Sequence, residues 1–258
     1  MNRDTNDLSN QFGIRQIVTL ISVVAAFGIN VFANINPPNG LTIGDISNQL
    51  FGDILITPAS YAFAIWGVIY LGLISFAVYQ VFPARRNSVL LQKLGYKIAI
   101  ASLAQIFWVF CFLYQQFLFS LLFMLVILGA LIAGYLTIKS QIKSLKQKWL
   151  VAIPLSIYLA WISVATVLNV ATVLEYYNWN GWGISPQNWT VIILLIVGSI
   201  GLLMAKERNL AFVGVYIWAL VAVAIKNLAN TFIVATVGVV AFVLGCVLLY
   251  GLVFNNSK

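Results

Sequence analysis

The chain has 258 residues, of which 62% are hydrophobic and only 8% are charged, whereas an average soluble domain carries about 25% charged residues. This composition excludes an ordinary water-soluble domain and indicates an integral membrane protein with several spanning segments. The sequence contains no histidine, which excludes imidazole-based metal sites, haem ligation by histidine and the commonest acid–base catalysis.

Eight apolar segments follow one another along the chain, and a helix needs about 20 such residues to cross a bilayer. None of them alternates in the manner of an outer-membrane β-strand, so we expect helices throughout. The sixth and seventh segments are the shortest. The sequence therefore predicts an all-α, polytopic membrane helix bundle. The predicted spans are 15–34, 60–82, 97–114, 117–138, 149–174, 189–205, 209–225 and 231–254.

Basic residues are distributed unevenly over the predicted loops, and membrane proteins retain Lys and Arg on the cytoplasmic side. With the N-terminus inside, all of the 14 basic residues except Lys226 fall on the inner side. This distribution predicts eight spans, both termini in the cytoplasm and a location in the cytoplasmic (inner) membrane. It also explains the net charge of +8 without a nucleic-acid partner. The predicted inner bases are Arg3, Arg15, Arg85, Arg86, Lys93, Lys97, Lys139, Lys143, Lys146, Lys148, Lys206, Arg208 and Lys258.

Several classes of function lack the residues that they require. Every acidic residue lies in a tail, in a loop or at the end of a span, which disfavours a proton- or ion-coupled transporter. Cys111 and Cys246 fall inside spans, where they act as small apolar residues. No Gly motif for phosphate and no G-x-S-x-G motif is present. We therefore expect no enzyme, no catalytic residues and no metal site. The acidic residues are Asp4, Asp7, Asp45, Asp53, Glu175 and Glu207.

Three predicted helices each carry a stripe of aromatic and neutral polar residues at helical spacing. The second span follows Thr57 and Pro58, which are interpreted as a helix N-cap and a proline of the first turn. Membrane packing interfaces favour small residues, whereas large aromatic side chains hold helices apart. The stripes therefore predict a largely apolar cavity for a flat or rigid hydrophobic ligand, with helix packing as the alternative. The stripes consist of Phe63, Trp66, Tyr70, Leu73 and Ala77; of Ala101, Gln105, Trp108 and Phe112; and of Tyr158, Trp161, Ala165, Asn169 and Thr172.

Three segments, TPASYAFAIWGVIYLG, SLAQIFWVFCFLY and IPLSIYLAWISVATVLN, resemble the second, third and fifth helices of the TspO/MBR family. These are the tryptophan-rich sensory proteins, which include the mitochondrial translocator protein. The resemblance covers residues 15–177. It implies a five-helix membrane domain over residues 1–177, followed by three additional transmembrane helices in residues 178–258.

The resemblance also implies a ligand pocket between the helices, capped by the loop 35–57, in a family that binds porphyrins and in some members cholesterol. Pocket residues carried over by motif position are Trp66, Tyr70, Gln105, Trp108, Trp161, Ala165, Leu168 and Asn169. Phe63, Phe112 and Tyr158 join them from the stripes.

The chain departs from the family pattern at several positions. Thr57 replaces the first of two prolines, Gln105 replaces an Asn, and Ile157 replaces a Pro. No Tyr followed by a basic residue comes after Asn169, so we expect no sterol binding there. Lys226 is the only base in the predicted outer loops that could pair with porphyrin propionates. A porphyrin would therefore enter by its apolar edge, or the ligand is of another kind.

We expect a membrane receptor or sensor for a hydrophobic ligand, with a tetrapyrrole as first choice and no covalent cofactor. A passive transporter or exporter of such a ligand is the alternative. Light-dependent porphyrin breakdown is the third, because the resemblance implicates Trp66 and Trp161 in it. The three C-terminal helices are interpreted as scaffold, as an oligomer interface such as that of a homodimer, or as a second site. The loop 175–189, rich in Trp and Tyr, is interpreted as an interfacial anchor rather than a lid.

Overall fold

The computed structural model describes residues 3–254, together with the side chains of residues 13–253. This part of the chain is helical and contains no strand. The predicted fold class, an all-α polytopic membrane helix bundle, is confirmed. Lys258 and the side chain of Arg3, both predicted to be cytoplasmic, lie outside the described residues. The long helices are α1 (Arg3–Ile35), α2 (Ile65–Val81), α3 (Val89–Leu113), α4 (Phe117–Ile138), α5 (Ile153–Tyr176), α6 (Pro186–Lys206), α7 (Leu210–Lys226) and α8 (Thr231–Phe254).

The eight helices differ in whether their length suffices for a membrane crossing. Seven candidate spans are long and apolar enough, the first of them being Gly13–Ile35. The exception is α7, which is apolar but has only 17 residues. Helix α2 is equally short by itself, but with the preceding 3-10 turn it forms the candidate span Ser60–Val81 of 22 residues. At about 1.5 Å per residue, a helix of that length stands at the lower limit for a bilayer core. The eighth crossing therefore stays a prediction.

The third predicted span was placed too late in the sequence, since α3 begins at Val89 rather than at residue 97. Lys93 and Lys97 thus lie on the first turns of the helix. The Lys97 ammonium donates to the carbonyl oxygen of Lys93 at 2.7 Å and to the hydroxyl of Thr137 at 3.0 Å. A lysine of this kind buries its aliphatic stem and directs its charge toward the helix end. Lys93 and Lys97 therefore lie inside α3, although the prediction ended the preceding loop at them.

The predicted N-cap at Thr57 is wrong. The helical segment that leads into α2 begins with a 3-10 turn at Ser60–Ala64, and the Thr57 hydroxyl is buried with no hydrogen-bond partner among the described residues. The reason lies in a long-range contact, because the Ala59 N–H donates to the carbonyl oxygen of Ala222 at 3.0 Å. This contact engages the backbone before the turn, and the helix starts after it.

The chain divides into two compact units, which are described separately below. The first unit comprises Met1–Gly40 and Ile65–Leu159, and the second comprises Leu41–Ala64 and Ala160–Lys258. Helix α5 contributes its first residues to the first unit and the remainder to the second. The division into residues 1–177 and 178–258, which the family resemblance implied, stays a prediction.

In the first unit α3 packs against α1 and α4, and α1 also packs against α2. Two glycines allow neighbouring segments to come close. A Cβ at Gly72 would lie 3.0 Å from the Cβ of Pro154, and one at Gly134 would lie 3.1 Å from the Cδ1 of Leu94. Close backbone approach at small residues is the usual way in which membrane helices gain packing energy.

In the second unit α6 packs against α8, and α7 packs against α8 and against the 3-10 turn Ser60–Ala64. The contact between α6 and α8 is built on glycine. A Cβ at Gly198 would lie 2.8 Å from the Cγ1 of Val240, and one at Gly201 would lie 2.9 Å from the Cδ2 of Leu244. These two positions therefore require glycine for the helices to pack as closely as they do.

Candidate functional site

Five of the predicted site residues form one aromatic cluster inside the first unit, contributed by α2, α3 and α5. Trp66 contacts three of the other rings, with centroid distances of 5.8 Å to Tyr70, 6.4 Å to Trp108 and 6.2 Å to Tyr158. Phe112 stacks on Trp108 at 5.3 Å. Sequence reasoning placed these residues on separate stripes, and the structure brings them together. The aromatic cluster consists of Trp66, Tyr70, Trp108, Phe112 and Tyr158.

The rings of the aromatic cluster contact one another directly, at distances within the range of about 4.5–7 Å that aromatic pairs prefer. All five side chains are buried, and Trp66 is the most exposed of them at 8%. A ligand would therefore meet the cluster along the Trp66 side, or would have to separate rings that already stack. Helix packing, the alternative considered for the stripes, accounts for the ring contacts equally well.

Polar groups inside the aromatic cluster are only partly satisfied. The Tyr70 hydroxyl donates to the carbonyl oxygen of Ala26 at 3.1 Å. The Tyr158 hydroxyl donates to the Oε1 of Gln105 over a long 3.4 Å. Gln105 is 1% exposed, and its Nε2 has no hydrogen-bond partner among the described residues. One buried amide donor next to the aromatic cluster is thus used by no described protein group.

The other predicted site residues belong to the second unit. Phe63 and Trp161 pack edge to face with their ring centroids 6.0 Å apart. Trp161 is buried, and its indole nitrogen has no hydrogen-bond partner in the described part of the chain. Asn169 is also buried, whereas Ala165 and Leu168 are half-buried. That any of these residues binds a ligand stays a prediction.

Much of the polarity that α5 carries is satisfied within the helix itself. The hydroxyl groups of Ser163, Thr166 and Thr172 donate to the carbonyl oxygens of Ala160, Ile162 and Leu168 at 2.8, 2.7 and 3.0 Å. Such hydrogen bonds to the preceding turn are common for Ser and Thr inside helices. The donor protons of Thr166 and Thr172 are therefore already used, although their oxygens can still accept.

Helix α7 makes contacts that sequence reasoning missed, because the C-terminal helices were interpreted only as scaffold, as an oligomer interface or as a second site. The Tyr216 and Ser163 hydroxyls lie 2.8 Å apart. The Trp218 indole N–H donates to the carbonyl oxygen of Ala62 at 3.2 Å, and its ring meets that of Tyr61 edge to face at 5.0 Å. Tyr216 and Trp218 are the sequence signal that could have indicated these contacts. Their partners are the Ser163 hydroxyl and a backbone carbonyl, both far away in the sequence, so the pattern alone could not identify them.

The segment 41–64, most of which the resemblance assigned to a cap, is attached to α7 within the second unit. The Asn227 side chain donates to the carbonyl oxygen of Leu55 at 2.8 Å, in addition to the contact between Ala59 and Ala222. A capping box closes the start of the segment, where the Thr42 N–H donates to the Asp45 carboxylate at 3.0 Å. Hydrogen bonds from Thr42 lower the pKa of the Asp45 carboxyl.

Two further features bear on what the protein can bind. Lys226, the base predicted outside, ends α7, and its ammonium nitrogen is buried with no hydrogen-bond partner among the described residues. No group of three or more His, Cys, Asp or Glu in the described chain could hold a metal ion. The Lys226 ammonium is thus a donor in the second unit that an anionic group could use.

A family model described as TSPO-like protein matches residues 16–253. The chain belongs to the TSPO-like family. The resemblance to TspO/MBR is thereby confirmed, and the match runs through α6, α7 and α8, well beyond residue 177. No curated protein and no solved structure matches the chain.

Membership of the TSPO-like family supports a multi-pass integral membrane protein of the sensor or transporter type. It names no ligand, and the family is generally not enzymatic. The orientation of the termini and the identity of the membrane stay predictions. Because the family match includes α7, the contacts of Tyr216 and Trp218 lie within the matched TSPO-like region and not in an unrelated extension.

Proposed function

We propose that this TSPO-like protein is a membrane receptor for a flat hydrophobic ligand, with a tetrapyrrole as first choice, that binds against the aromatic cluster. The observation that carries the proposal is the buried Nε2 of Gln105. This nitrogen has no hydrogen-bond partner among the described residues, whereas the Oε1 of the same side chain accepts from the Tyr158 hydroxyl. An unsatisfied buried donor costs about 1–3 kcal/mol. An acceptor on a bound ligand would recover that cost, whereas packing alone would favour an apolar side chain at this position.

The chemistry of the aromatic cluster favours a particular class of ligand. Five buried rings offer a large π surface, and aromatic contacts contribute about 0.5–1.5 kcal/mol per pair beyond the area that they bury. The cluster contains no charged side chain, so a charged group on the ligand has to remain outside it. A large, flat molecule with a few hydrogen-bond acceptors and an apolar edge meets these conditions, and a tetrapyrrole is such a molecule.

The proposal is tested by titrating the purified protein with protoporphyrin and reading the dissociation constant from the porphyrin absorbance. Replacing Trp66 and Trp108 together by Phe keeps aromatic bulk but removes stacking area, so we expect several-fold weaker binding. The control replaces Trp179 and Trp182 by Phe. The centroids of these two rings lie 5.3 Å apart, and neither ring belongs to the aromatic cluster. Unchanged binding by the Trp66/Trp108 variant would reject the aromatic cluster as the site.

Gln105 allows an independent test of the same proposal. Gln105→Leu removes the unsatisfied amide and should weaken porphyrin binding by about 1 kcal/mol, or roughly fivefold, while thermal unfolding shows a folded protein. If the variant binds as tightly as wild type and is more stable, the amide serves no ligand. Packing would then be the role of the aromatic cluster.

Two other activities are outcomes of further measurements. Uptake of protoporphyrin into proteoliposomes that depends on Trp66 would replace the receptor by a passive transporter. Loss of protoporphyrin under illumination that disappears when Trp66 and Trp161 are replaced would indicate a light-dependent enzyme. The receptor proposal expects binding without either result.

A further inference from the structure

A buried arginine without a partner lies in α1 of the first unit. Arg15 is 2% exposed, although the sequence pattern counted it among the bases on the inner surface. Its Nε, Nη1 and Nη2 atoms have no hydrogen-bond partner among the described residues. Arginine stays charged inside proteins, so this side chain keeps its charge and its five N–H donors where it is buried.

Gln80 on α2 lies beside Arg15 and is unsatisfied as well. Gln80 is 0% exposed, and neither its Nε2 nor its Oε1 has a hydrogen-bond partner in the described chain. A Cβ at Gly95 of α3 would lie 2.9 Å from the Cδ of Arg15 and 3.2 Å from the Oε1 of Gln80. The two side chains therefore share the space above Gly95, and any larger residue there would displace them.

The backbone around this space is held in position by neighbouring hydrogen bonds. The Thr19 hydroxyl donates to the carbonyl oxygen of Gly95 at 3.1 Å, and the Gln16 amide donates to the carbonyl oxygen of Gln80. These contacts join α1 to both α3 and α2. We call the space between Arg15, Gln80 and Gly95 the arginine pocket.

Within the first unit, no described side chain carries a carboxylate that could pair with Arg15. The four described carboxylates, those of Asp45, Asp53, Glu175 and Glu207, all belong to the second unit. A buried charge without a partner is strongly unfavourable for folding. An anion that comes from outside the chain would remove this penalty.

We propose that Arg15 and Gln80 bind an anion of the phosphate class in the arginine pocket. The planar guanidinium presents parallel N–H donors that match two phosphate oxygens. The Gln80 side chain, whose Oε1 lies at the pocket, also carries a buried Nε2 that no described group uses. Gly95 leaves room for the Arg15 and Gln80 side chains to meet, since a Cβ there would lie 2.9 Å from the Arg15 Cδ. The proposal does not depend on the aromatic cluster or on its ligand.

The location of the arginine pocket indicates how the anion reaches it. Arg15 is close to the start of the candidate span Gly13–Ile35, and Gln80 is close to the end of α2, so both lie near one end of their helices. The nearby Arg86 guanidinium approaches α1, since a Cβ at Gly13 would lie 3.4 Å from its Nη2. Phosphate groups of membrane lipids occupy this depth, and free phosphate can reach it from water.

The experiment compares the full-length protein with Arg15→Gln and with Lys93→Gln, which removes an equal charge at an exposed position of α3. Each protein in mixed micelles is titrated with phosphatidylglycerol in one arm and with inorganic phosphate in the other. Thermal unfolding follows the binding. We expect the wild type and Lys93→Gln to be stabilised alike, and Arg15→Gln to require at least a tenfold higher ligand concentration for the same shift.

The two arms distinguish the source of the anion. Stabilisation by phosphatidylglycerol alone identifies a lipid headgroup, and stabilisation by both identifies a phosphate site without lipid selectivity. If Arg15→Gln responds like wild type in both arms, or if wild type responds in neither, the proposal is wrong.

Two additional variants keep the proposal testable if Arg15→Gln does not fold. Gln80→Leu removes only the amide and should weaken the response several-fold. Gly95→Ala places a methyl group 2.9 Å from the Arg15 Cδ and should weaken it as well. A wild-type response in both variants would also overturn the proposal.

Discussion

The hydroxyl groups of Ser163 on α5 and Tyr216 on α7 lie 2.8 Å apart and share a hydrogen bond. The Ser163 hydroxyl also lies within hydrogen-bond distance of the carbonyl oxygen of Ala160, at 2.8 Å, and either of the two hydroxyls can donate to the other. Tyr216 is fully buried and packs on Phe212 at a centroid distance of 4.6 Å. Within the second unit, α5 is thus bonded to α7. The resemblance to TspO/MBR seen in the sequence covers α5 but stops before α7.

A double-mutant cycle with Ser163→Ala and Tyr216→Phe measures this hydrogen bond. Hydrogen bonds between membrane helices average about 0.6 kcal/mol, and we expect a coupling energy of that order. The measurement is the free energy of unfolding in mixed micelles titrated with dodecyl sulfate. Pairing Tyr216→Phe with Ser199→Ala provides the control, because Ser199 bonds to its own helix at an exposed position. Coupling as large in the control pair would contradict the direct bond.

Asn227 should hold the segment 41–64 in place through its bond to the Leu55 carbonyl. Asn227→Leu removes that bond, so we expect faster amide hydrogen exchange and faster proteolysis within residues 41–64. The matched control is Leu228→Ala, which alters an exposed neighbour. Equal protection of the segment in wild type and Asn227→Leu would show that the remaining contacts to α7 are sufficient.

The capping box of Thr42 and Asp45 should make the start of this segment sensitive to acid. Hydrogen bonds from Thr42 lower the pKa of Asp45 in the folded protein, so the stabilisation is present above the unfolded pKa and is lost as pH falls through the folded one. We expect hydrogen exchange at residues 43–50, corrected for its intrinsic pH dependence, to rise on acidification through that range. Asp45→Asn should weaken the box and abolish this pH dependence; an unchanged profile would contradict it.

Gly198 should be essential for the packing of α6 on α8. Gly198→Ala introduces a methyl group 2.8 Å from the Cγ1 of Val240, and overpacking of this kind costs about 1–3 kcal/mol. Gly238→Ala is the control, since nothing lies within 4 Å of its added Cβ. The control should be neutral or slightly stabilising because alanine favours helix. Equal unfolding free energies for the two variants would show that α8 moves aside at little cost.

The sequence predicted the helices well because hydropathy over some 20 residues is a strong local signal. It predicted the members of the aromatic cluster because Trp66, Trp108 and Tyr158 each belong to a stripe at helical spacing on their own helix, and all three are buried. The start of α3 was misjudged because Lys97 keeps its charge near the helix end while its stem is apolar. The burial of Arg15 was not predictable, since a base near a span end reads as an interfacial residue and the side chains around it are distant in sequence.

The side on which the loop between α7 and α8 and the C-terminus lie depends on whether α7 crosses the membrane. All the basic residues except Lys226 lie on one side only if α7 spans, although it has just 17 residues. If α7 does not cross, the loop between α7 and α8 lies on the same side as the loop between α6 and α7. A cysteine at Leu228, which is exposed, reports directly on this difference.

The topology is tested in a variant in which Cys111 and Cys246 are replaced by Ala, so that each introduced cysteine is the single thiol. In sealed right-side-out vesicles, cysteines at Asn39, Asn180 and Leu228 should react with an impermeant maleimide. Those at Ser88 and Ser144 should react only after the membrane is permeabilised. Protection of the Leu228 position with labelling at Asn39 and Asn180 would indicate seven crossings, because every other long helix belongs to a candidate span of at least 21 residues. Labelling at Ser88 in sealed vesicles would instead reverse the orientation that the basic residues predict.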